Sequence, residues 1–391
     1  MKNIYPAVLA VALGFSGSRG LLAQPCAEGA MKCITESGGG DCASIGTWNA
    51  ATRTCKLTGD LSGVGIQVAG DGVTLDGAGH TLTGASVAGV PQPRGIVVDQ
   101  RVGVKIKNLT VRQFQAGVVL WHCSDGAVSN STLRANARVG IELLDSYGNR
   151  IGDNTLSDSS DGIIVNQSAN NTLEGNLVES NRDSGIILKL SSSGNTVVRN
   201  ITRLNSGGIA LGGASHHNNI SNNEVTGNRQ IGVGLYFSSD ENTVSDNRIS
   251  GNAVGAKNGA GVLLMQVSGN RVFSNTVAGN SRGIWLSYPD ADAYPGGGNQ
   301  IYHNNFIDNG TQALITGWRS TPDSFSKLAP IGGNFWGNWT TPDADGDGVV
   351  DSAYLISGGG DNLPWRAKDG WVTLPDATPR GTADSNHEQH P

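Results

Sequence analysis

The spacing of asparagine constrains this chain more than any other feature. The pattern Asn-x-apolar-x-x-Asn occurs seven times: Asn149-Ile151-Asn154, Asn171-Leu173-Asn176, Asn195-Val197-Asn200, Asn218-Ile220-Asn223, Asn242-Val244-Asn247, Asn270-Val272-Asn275 and Asn299-Ile301-Asn304. Successive starts lie 22 to 24 residues apart, and the last two intervals stretch to 28 and 29. Between the boxes runs a second element, Gly-[Ile/Val]-x-apolar, beginning at Gly95, Gly117, Gly140, Gly162, Gly185, Gly208, Gly232, Gly261 and Gly283. Repeats in register at such a period belong to a chain of stacked units, each burying its apolar face only against its neighbours.

The units are strands, not helices. Apolar residues alternate within them, as Ile163 and Val165 or Ile186 and Leu188 do, and period two marks a strand with one buried face. No apolar stripe at i, i+3, i+4, i+7 is long enough for a helix. The 57 glycines sit at recurring places, which predicts repeated sharp turns, and asparagine also tolerates left-handed turn conformations. Stacked coils would align identical Asn side chains into ladders. The predicted fold is all-β, a single-stranded parallel β-helix of about ten coils with an Ile/Leu/Val bore and a cap at each end.

Two segments carry a resemblance to known proteins. Gly72-Val-Thr-Leu-Asp-Gly-Ala-Gly-His80-Thr-Leu-Thr-Gly84 resembles the opening coil of the right-handed parallel β-helix repeat proteins, and of their NosD-like branch within the pectate-lyase-like superfamily. Gly333-Asn-Phe-Trp-Gly-Asn-Trp339, followed by an Asp/Gly-rich run and Tyr354, resembles the closing segment of that branch. The resemblance spans residues 60–365. It implies right-handed winding but no activity, since this fold hosts lyases, epimerases, hydrolases, binding proteins and accessory factors. It also raises copper, which favours clusters of Met, Cys or His. Beyond the leader the chain has only Met31 and Met265, while His80, His122, His216, His217, His303, His387 and His390 are scattered, so no copper site is expected.

Lys2, the apolar run Ile4 to Phe15 and the small-residue end Leu21-Leu22-Ala23 read as a secretory signal cleaved before Gln24. The run is too short to span a membrane, so the product is expected to be secreted or periplasmic. A net charge of −6 without a basic cluster argues against nucleic acid as partner. Cys26, Cys33, Cys42 and Cys55 read as two disulfides of an exported protein. Spacing does not determine their pairing; Cys42 with Cys55 and Cys26 with Cys33 is the expected arrangement. Cys123 is left over as a buried small residue. The expected organisation is a signal peptide over 1–23, a Cys-rich cap over 24–62, the solenoid over 63–318, a C-terminal cap over 319–372 and a disordered tail over 373–391. A monomer is expected.

Asp343-Ala-Asp345-Gly-Asp347-Gly348-Val-Val-Asp351 places oxygens at alternate positions with Gly at the sixth, as in the first half of an EF-hand-type loop. Tyr354 stands where the usual bidentate Glu would be. A structural Ca2+ on Asp343, Asp345, Asp347 and Asp351 is expected, its shell completed by Val349 carbonyl, water or Asp361; a solvated acidic turn is the alternative.

Alternation turns the residues between the inward ones outward, in rows that climb the wall at roughly 4.8 Å per coil. These rows are unusually apolar, and Trp121, Tyr236, Trp285 and Tyr288 are candidate stacking surfaces for sugar rings. The two long coils place extra residues near Ala253 to Ala260 and Tyr288 to Gly298, beside the same row of strands. A cleft around Tyr236, Met265, Trp285 and Tyr288, edged by Lys257, Asp290 and Asp292, is the predicted binding site. Lys189 with Arg138 and Glu142 is the outward basic–acidic group that proton abstraction beside a carboxylate would need. Hydrolysis needs two facing carboxylates; Asp161 and Asp183 are offset by one residue on consecutive coils, which predicts divergent side chains. Neither the paired-Asp with Gly-His-Gly pattern of polygalacturonase-like enzymes nor the Asp-Pro-His-Asp pattern of alginate-epimerase-like ones is present. The expected function is binding of an acidic or neutral polysaccharide on the wall, with cleavage by a lyase or epimerisation as its catalytic form. The alternative is a non-catalytic periplasmic or cell-surface module, including a NosD-like accessory role.

Overall fold

The computed structural model describes residues 31–87, 89–289 and 296–373. Three parallel sheets of twelve strands each run the length of the molecule, and each coil contributes one strand to each sheet. Sheet I runs from Met31–Ile34 to Thr311–Gly317, sheet II from Gly46–Asn49 to Gln300–Tyr302, and sheet III from Leu61–Ser62 to Phe335–Trp336. This is the parallel β-helix, right-handed as crossover connections between parallel strands are. The bore is lined as the alternation requires: in one coil Ile163, Val165, Leu173 and Val178 are all fully buried.

The Cys-rich segment supplies the first rungs of the helix. Met31–Ile34 pairs with Gly65–Val68 in sheet I, and the hairpin Gly46–Asn49/Thr54–Leu57 opens sheet II. Cys42 and Cys55 form the expected disulfide, their Cα atoms 5.7 Å apart. Cys33 is also disulfide-bonded. Its expected partner Cys26, the signal segment and the tail beyond Thr373 lie outside the described residues.

The asparagines form ladders inside the turns. The first residues of the boxes, Asn149 to Asn299, stack along one corner, and the second residues, Asn154 to Asn304, along another. Each side chain works in both directions along the axis. Asn200 Oδ1 accepts from the backbone N–H and the amide of Asn176, while its own amide donates to Asn223 Oδ1 and to the Leu173 carbonyl. The residue before each second Asn is left-handed, from Asp153 (φ 60°) to His303 (φ 57°), which makes this corner sharp. A third ladder runs Asn181, Asn205, Asn228, Asn252, Asn280 and Asn309. Its members follow the second Asn of each box by five residues, so the signal was present in the sequence.

A ladder must end on a group that accepts without needing an acceptor of its own, and a carboxylate is such a group. Asp323 Oδ1 ends the first ladder by accepting from the N–H and the amide of Asn299. Asp361 Oδ2 ends the second by accepting from Asn334 N–H and Trp336 Nε1. A serine ladder, Ser146, Ser168, Ser192, Ser215 and Ser239, runs beside the first. Cys123 occupies the preceding rung, with Sγ donating to the Val98 and Trp121 carbonyls. Burial pushes its thiol up to about 11, so it is a structural member of the wall.

Candidate functional site

The outward face of sheet I carries most of the predicted site residues, and the structure divides them into an upper and a lower group. In the upper group the wall is packed against itself. Ile231, Ala260, Leu263 and Met265 are buried, with Tyr236, Phe237 and Trp285 packed on them. Trp285 Nε1 donates to Thr316 Oγ1 at 2.9 Å, and the Arg282 guanidinium covers its ring 4.8 Å from the centroid. The Tyr236 ring lies over Gly234, where any Cβ would strike it.

Tyr288 is no stacking surface. It is 1% exposed, and its hydroxyl donates to Asp323. It has the parity of Ile284 and Leu286, which fill the bore, so alternation turns it inward. Burial and the neighbouring Asp323 charge push its phenol far up. The predicted cleft is therefore a packed patch at Tyr236, Met265 and Trp285, with Tyr288 turned into the bore. Lys257 is exposed beside it, while Asp290 and Asp292 lie outside the described residues.

The lower group is polar and unsatisfied. Asp99, Trp121, Leu144, Asn166 and Lys189 stand in one column of consecutive register. Asp99 Oδ1, Trp121 Nε1 and Asn166 Oδ1 are hidden from solvent without a hydrogen-bond partner among the described residues. Trp121 stacks on His122 with centroids 5.2 Å apart. His122 lies between two carboxylates, its Nδ1 3.9 Å from Asp99 and its Nε2 3.7 Å from Asp145. Asp145 follows His122 by one repeat and so stacks above it.

Lys189, Arg138 and Glu142 do not form one group. Arg138, just before the strand Val139–Leu144, closes bidentately on Glu142 four residues on, and Lys189 stands two coils further on, roughly 10 Å away by strand spacing. What Arg138 and Lys189 share is Asp161. Burial raises the Asp161 carboxyl above its ordinary range, the Asp183 charge adds to this, and Lys189 and Arg138 pull it back. Asp161 and Asp183, predicted to diverge, are electrostatically coupled.

In the C-terminal loop, carboxylate oxygens of Asp343, Asp345 and Asp347 lie within 4.8 Å of one another. Asp351 does not join them: its Oδ2 accepts from Ala344 N–H. Asp361 is fully buried as a ladder terminus and is no ligand there.

Soft metal donors do not converge among the described residues. Cys123 and Met265 are buried in different parts of the wall. His80 faces Asp60 and His217 faces Glu241, while His216 Nδ1 accepts from Asp240 N–H. His303 stacks on Trp371, with its Nε2 against the Ile331 carbonyl. These residues do not fit a copper ion, which calls for several such donors on one centre.

The model of the family described as periplasmic copper-binding protein (NosD) matches residues 55–247 and 190–341. No curated protein matches the chain. Among solved structures, the A-module of the Azotobacter vinelandii mannuronan C-5 epimerase AlgE6 matches with a TM-score of 0.51 and 16% identity, over 71% of this chain and 88% of that one. The periplasmic alginate epimerase AlgG matches with a TM-score of 0.46 and 13% identity, over 75% of this chain and 82% of that one. The DFA-IIIase of Arthrobacter chlorophenolicus A6 matches with a TM-score of 0.48 and 13% identity, over 62% and 64%. At these identities the structural likeness is one of fold. The family match covers most of the chain and agrees with its repeat, its three sheets and its closing Trp-rich segment: this chain belongs to the NosD family of periplasmic proteins.

Proposed function

We propose that the lower half of sheet I binds an extended polysaccharide. The observation that carries this is the column in which, among the described residues, Asp99 Oδ1, Trp121 Nε1 and Asn166 Oδ1 are buried without hydrogen-bond partners and Lys189 makes no ion pair. Native proteins rarely leave buried polar atoms unpaired, and sugar hydroxyls are donors and acceptors that would satisfy them. The Trp121 ring adds an apolar surface suited to a pyranose C–H face. The column's rise per coil is close to that of one pyranose residue in an extended chain, so successive sugars would meet successive side chains. A mannuronan epimerase is among the proteins sharing the architecture, which supports a glycan ligand. No helix among the described residues is long and apolar enough to cross a membrane. The upper half of the wall favours a second reading, a non-catalytic periplasmic or accessory module, because its apolar patch is packed by its own side chains.

The test is retention of the mature protein in gels containing acidic or neutral polysaccharides, with and without calcium. Retention by one polymer is expected to weaken about tenfold in Trp121→Ala and in Lys189→Ala, a change of about 1.4 kcal/mol each. Trp285→Ala should leave it unchanged. Equal retention of all three variants and the parent would remove the column from the proposal.

A structural Ca2+ at Asp343, Asp345 and Asp347 belongs to the same reading, as a clamp on the C-terminal segment. The carboxylates organise the loop through Gly346, Gly348 and Val349 N–H, leaving Asp345 and Asp347 one free oxygen each. Calcium at 100 times its dissociation constant should stabilise the fold by about 2.7 kcal/mol, an effect that a chelator reverses. A melting temperature indifferent to both calcium and chelator would refute the ion.

A further inference from the structure

We infer that Asp161 and Asp183 are the proton-transfer pair of a glycoside-hydrolysing centre on sheet I, a role that rests on the polysaccharide reading above. Their strands are neighbours, Ile163 opposite Ile186 and Asn166 opposite Lys189. Two cross-coil bonds run between the dipeptides 160–161 and 183–184. Ser184 N–H donates to Asp161 Oδ1 at 3.0 Å, and Ser160 Oγ donates to Asp183 Oδ2 at 2.7 Å. Each carboxyl group is thus tied to the residue beside the other, which holds both at one edge of the sheet despite their offset in sequence. Each keeps its second oxygen without a hydrogen bond among the described residues.

Two further observations point to a ligand here. Asn166 Oδ1, at the far end of the Asp161 strand, is one of the buried atoms without a hydrogen-bond partner among the described residues. On the next strand the outward residues are Gly207, Ala210 and Gly212; a Cβ on Gly212 would meet nothing within 4 Å, and one on Gly207 would meet only a carbonyl at 4.0 Å. The wall therefore steps down beside Ser184, Ile187 and Lys189. Between the polar ends, Ile164 and Ile187 form an apolar floor. Asp161 to Asn166 spans roughly 16 Å at 3.3 Å per residue, the reach of a short oligosaccharide. A saccharide lying along these strands would place hydroxyl or carboxylate groups at Asn166 and Lys189 and a glycosidic bond at the carboxyl pair.

The surroundings separate the two roles. Asp161 is half-buried and its carboxyl is raised by burial, with Asp183 adding and Lys189 and Arg138 opposing. Asp183 is exposed. Of the nearby cations, Arg138 is engaged by Glu142, and Arg182 turns away to the Ala137 carbonyl. A carboxyl raised by burial beside one open to water suits the acid and the base of hydrolysis. Asp161 gives its proton to the glycosidic oxygen as the C1–O bond breaks. A water oxygen bonds to C1 and its proton passes to Asp183. One water is consumed, a reducing end and an alcohol are formed, and solvent returns the proton from Asp183 to Asp161.

The experiment incubates the full mature chain with polygalacturonate, polymannuronate, xylan and amylose, reading gel retention, reducing ends and unsaturated-uronate absorbance together. The expected result is reducing ends without the unsaturated chromophore from a polymer that retains the protein. Asp161→Asn and Asp183→Asn should each lower the rate about 100-fold or more, and Asp161→Asn should remove the fall in rate as pH rises. Ser160→Ala leaves both carboxyl groups in the chain and removes only the 2.7 Å bond to Asp183; it should lower the rate about tenfold, and it serves as the decisive variant if the Asn variants do not fold. Retention without product overturns the inference and leaves the binding reading standing. The chromophore in place of simple reducing ends, or variants as active as the parent, also overturns it. Neither retention nor product on any polymer overturns both.

Discussion

Asn200→Ala is expected to cost about 3–5 kcal/mol, among the largest single-residue losses in this molecule. The substitution removes the acceptor for two donors of Asn176, its backbone N–H at 3.0 Å and its amide at 2.9 Å. It also removes the donor to the Leu173 carbonyl at 2.9 Å and to Asn223 Oδ1 at 3.0 Å. All these groups lie in a fully buried turn, where an unpaired donor keeps its whole desolvation penalty. Asn200→Asp should do no better at neutral pH: a carboxylate still accepts from Asn176 but cannot donate upward, and it would face the Asn223 oxygen. Thr196→Ala, on the outward face of the adjoining strand, should cost about 1 kcal/mol or less. Denaturant unfolding of the three variants checks this ranking, and a loss for Asn200→Ala no greater than that for Thr196→Ala would mean the ladder contributes little.

The second large effect is a dependence on pH set by the end of the same ladder. Asp361 is fully buried and accepts from Asn334 N–H, Trp336 Nε1 and Leu363 N–H. Burial raises its carboxyl to about 6 from an ordinary 3.8, outweighing these donors, which favour the anion. The folded state therefore keeps a proton that the unfolded chain has already released between those values. Stability contributed by the protonated group is fully present below pH 3.8, is lost as pH rises through 6, and stays lost above it. The difference is about 3 kcal/mol. Asp323, also raised by burial, acts in the same direction. Asp361→Asn keeps the acceptor oxygen and removes the titration, so the change in unfolding free energy between pH 4 and pH 7 should shift by about that amount relative to the parent. An unaltered pH profile would show that Asp361 does not titrate in this range.

The candidate site was less legible in the sequence than the fold. The asparagine boxes could be read because ladder positions tolerate so little: each Asn must satisfy the coil before it and the coil after it, so the residue type recurs wherever the turn does. Asp323 and Asp361 could not be read in the same way. They end ladders from segments outside the repeat, and only closure of the C-terminal turns brings them over Asn299 and Asn334. On the wall, alternation told outward from inward but not covered from open. Trp121 and Trp285 stand in neighbouring rows of outward residues, yet Trp285 is held by Thr316 and Arg282 while the indole N–H of Trp121 has no hydrogen-bond partner among the described residues. Tyr288, expected on the wall beside a long coil, follows its strand parity into the bore instead.

The sequence by itself determined the coil, the bore and the corner asparagines, because each is a local requirement repeated at a fixed period. The tertiary structure decided which outward side chains meet. Asp161 was brought to Asp183, His122 between Asp99 and Asp145, and Lys189 away from Glu142. Neighbours on the wall come from different coils, so their contacts depend on the register between strands and on the direction each side chain takes after leaving the turn. Neither of these is written in the spacing of residues along the chain.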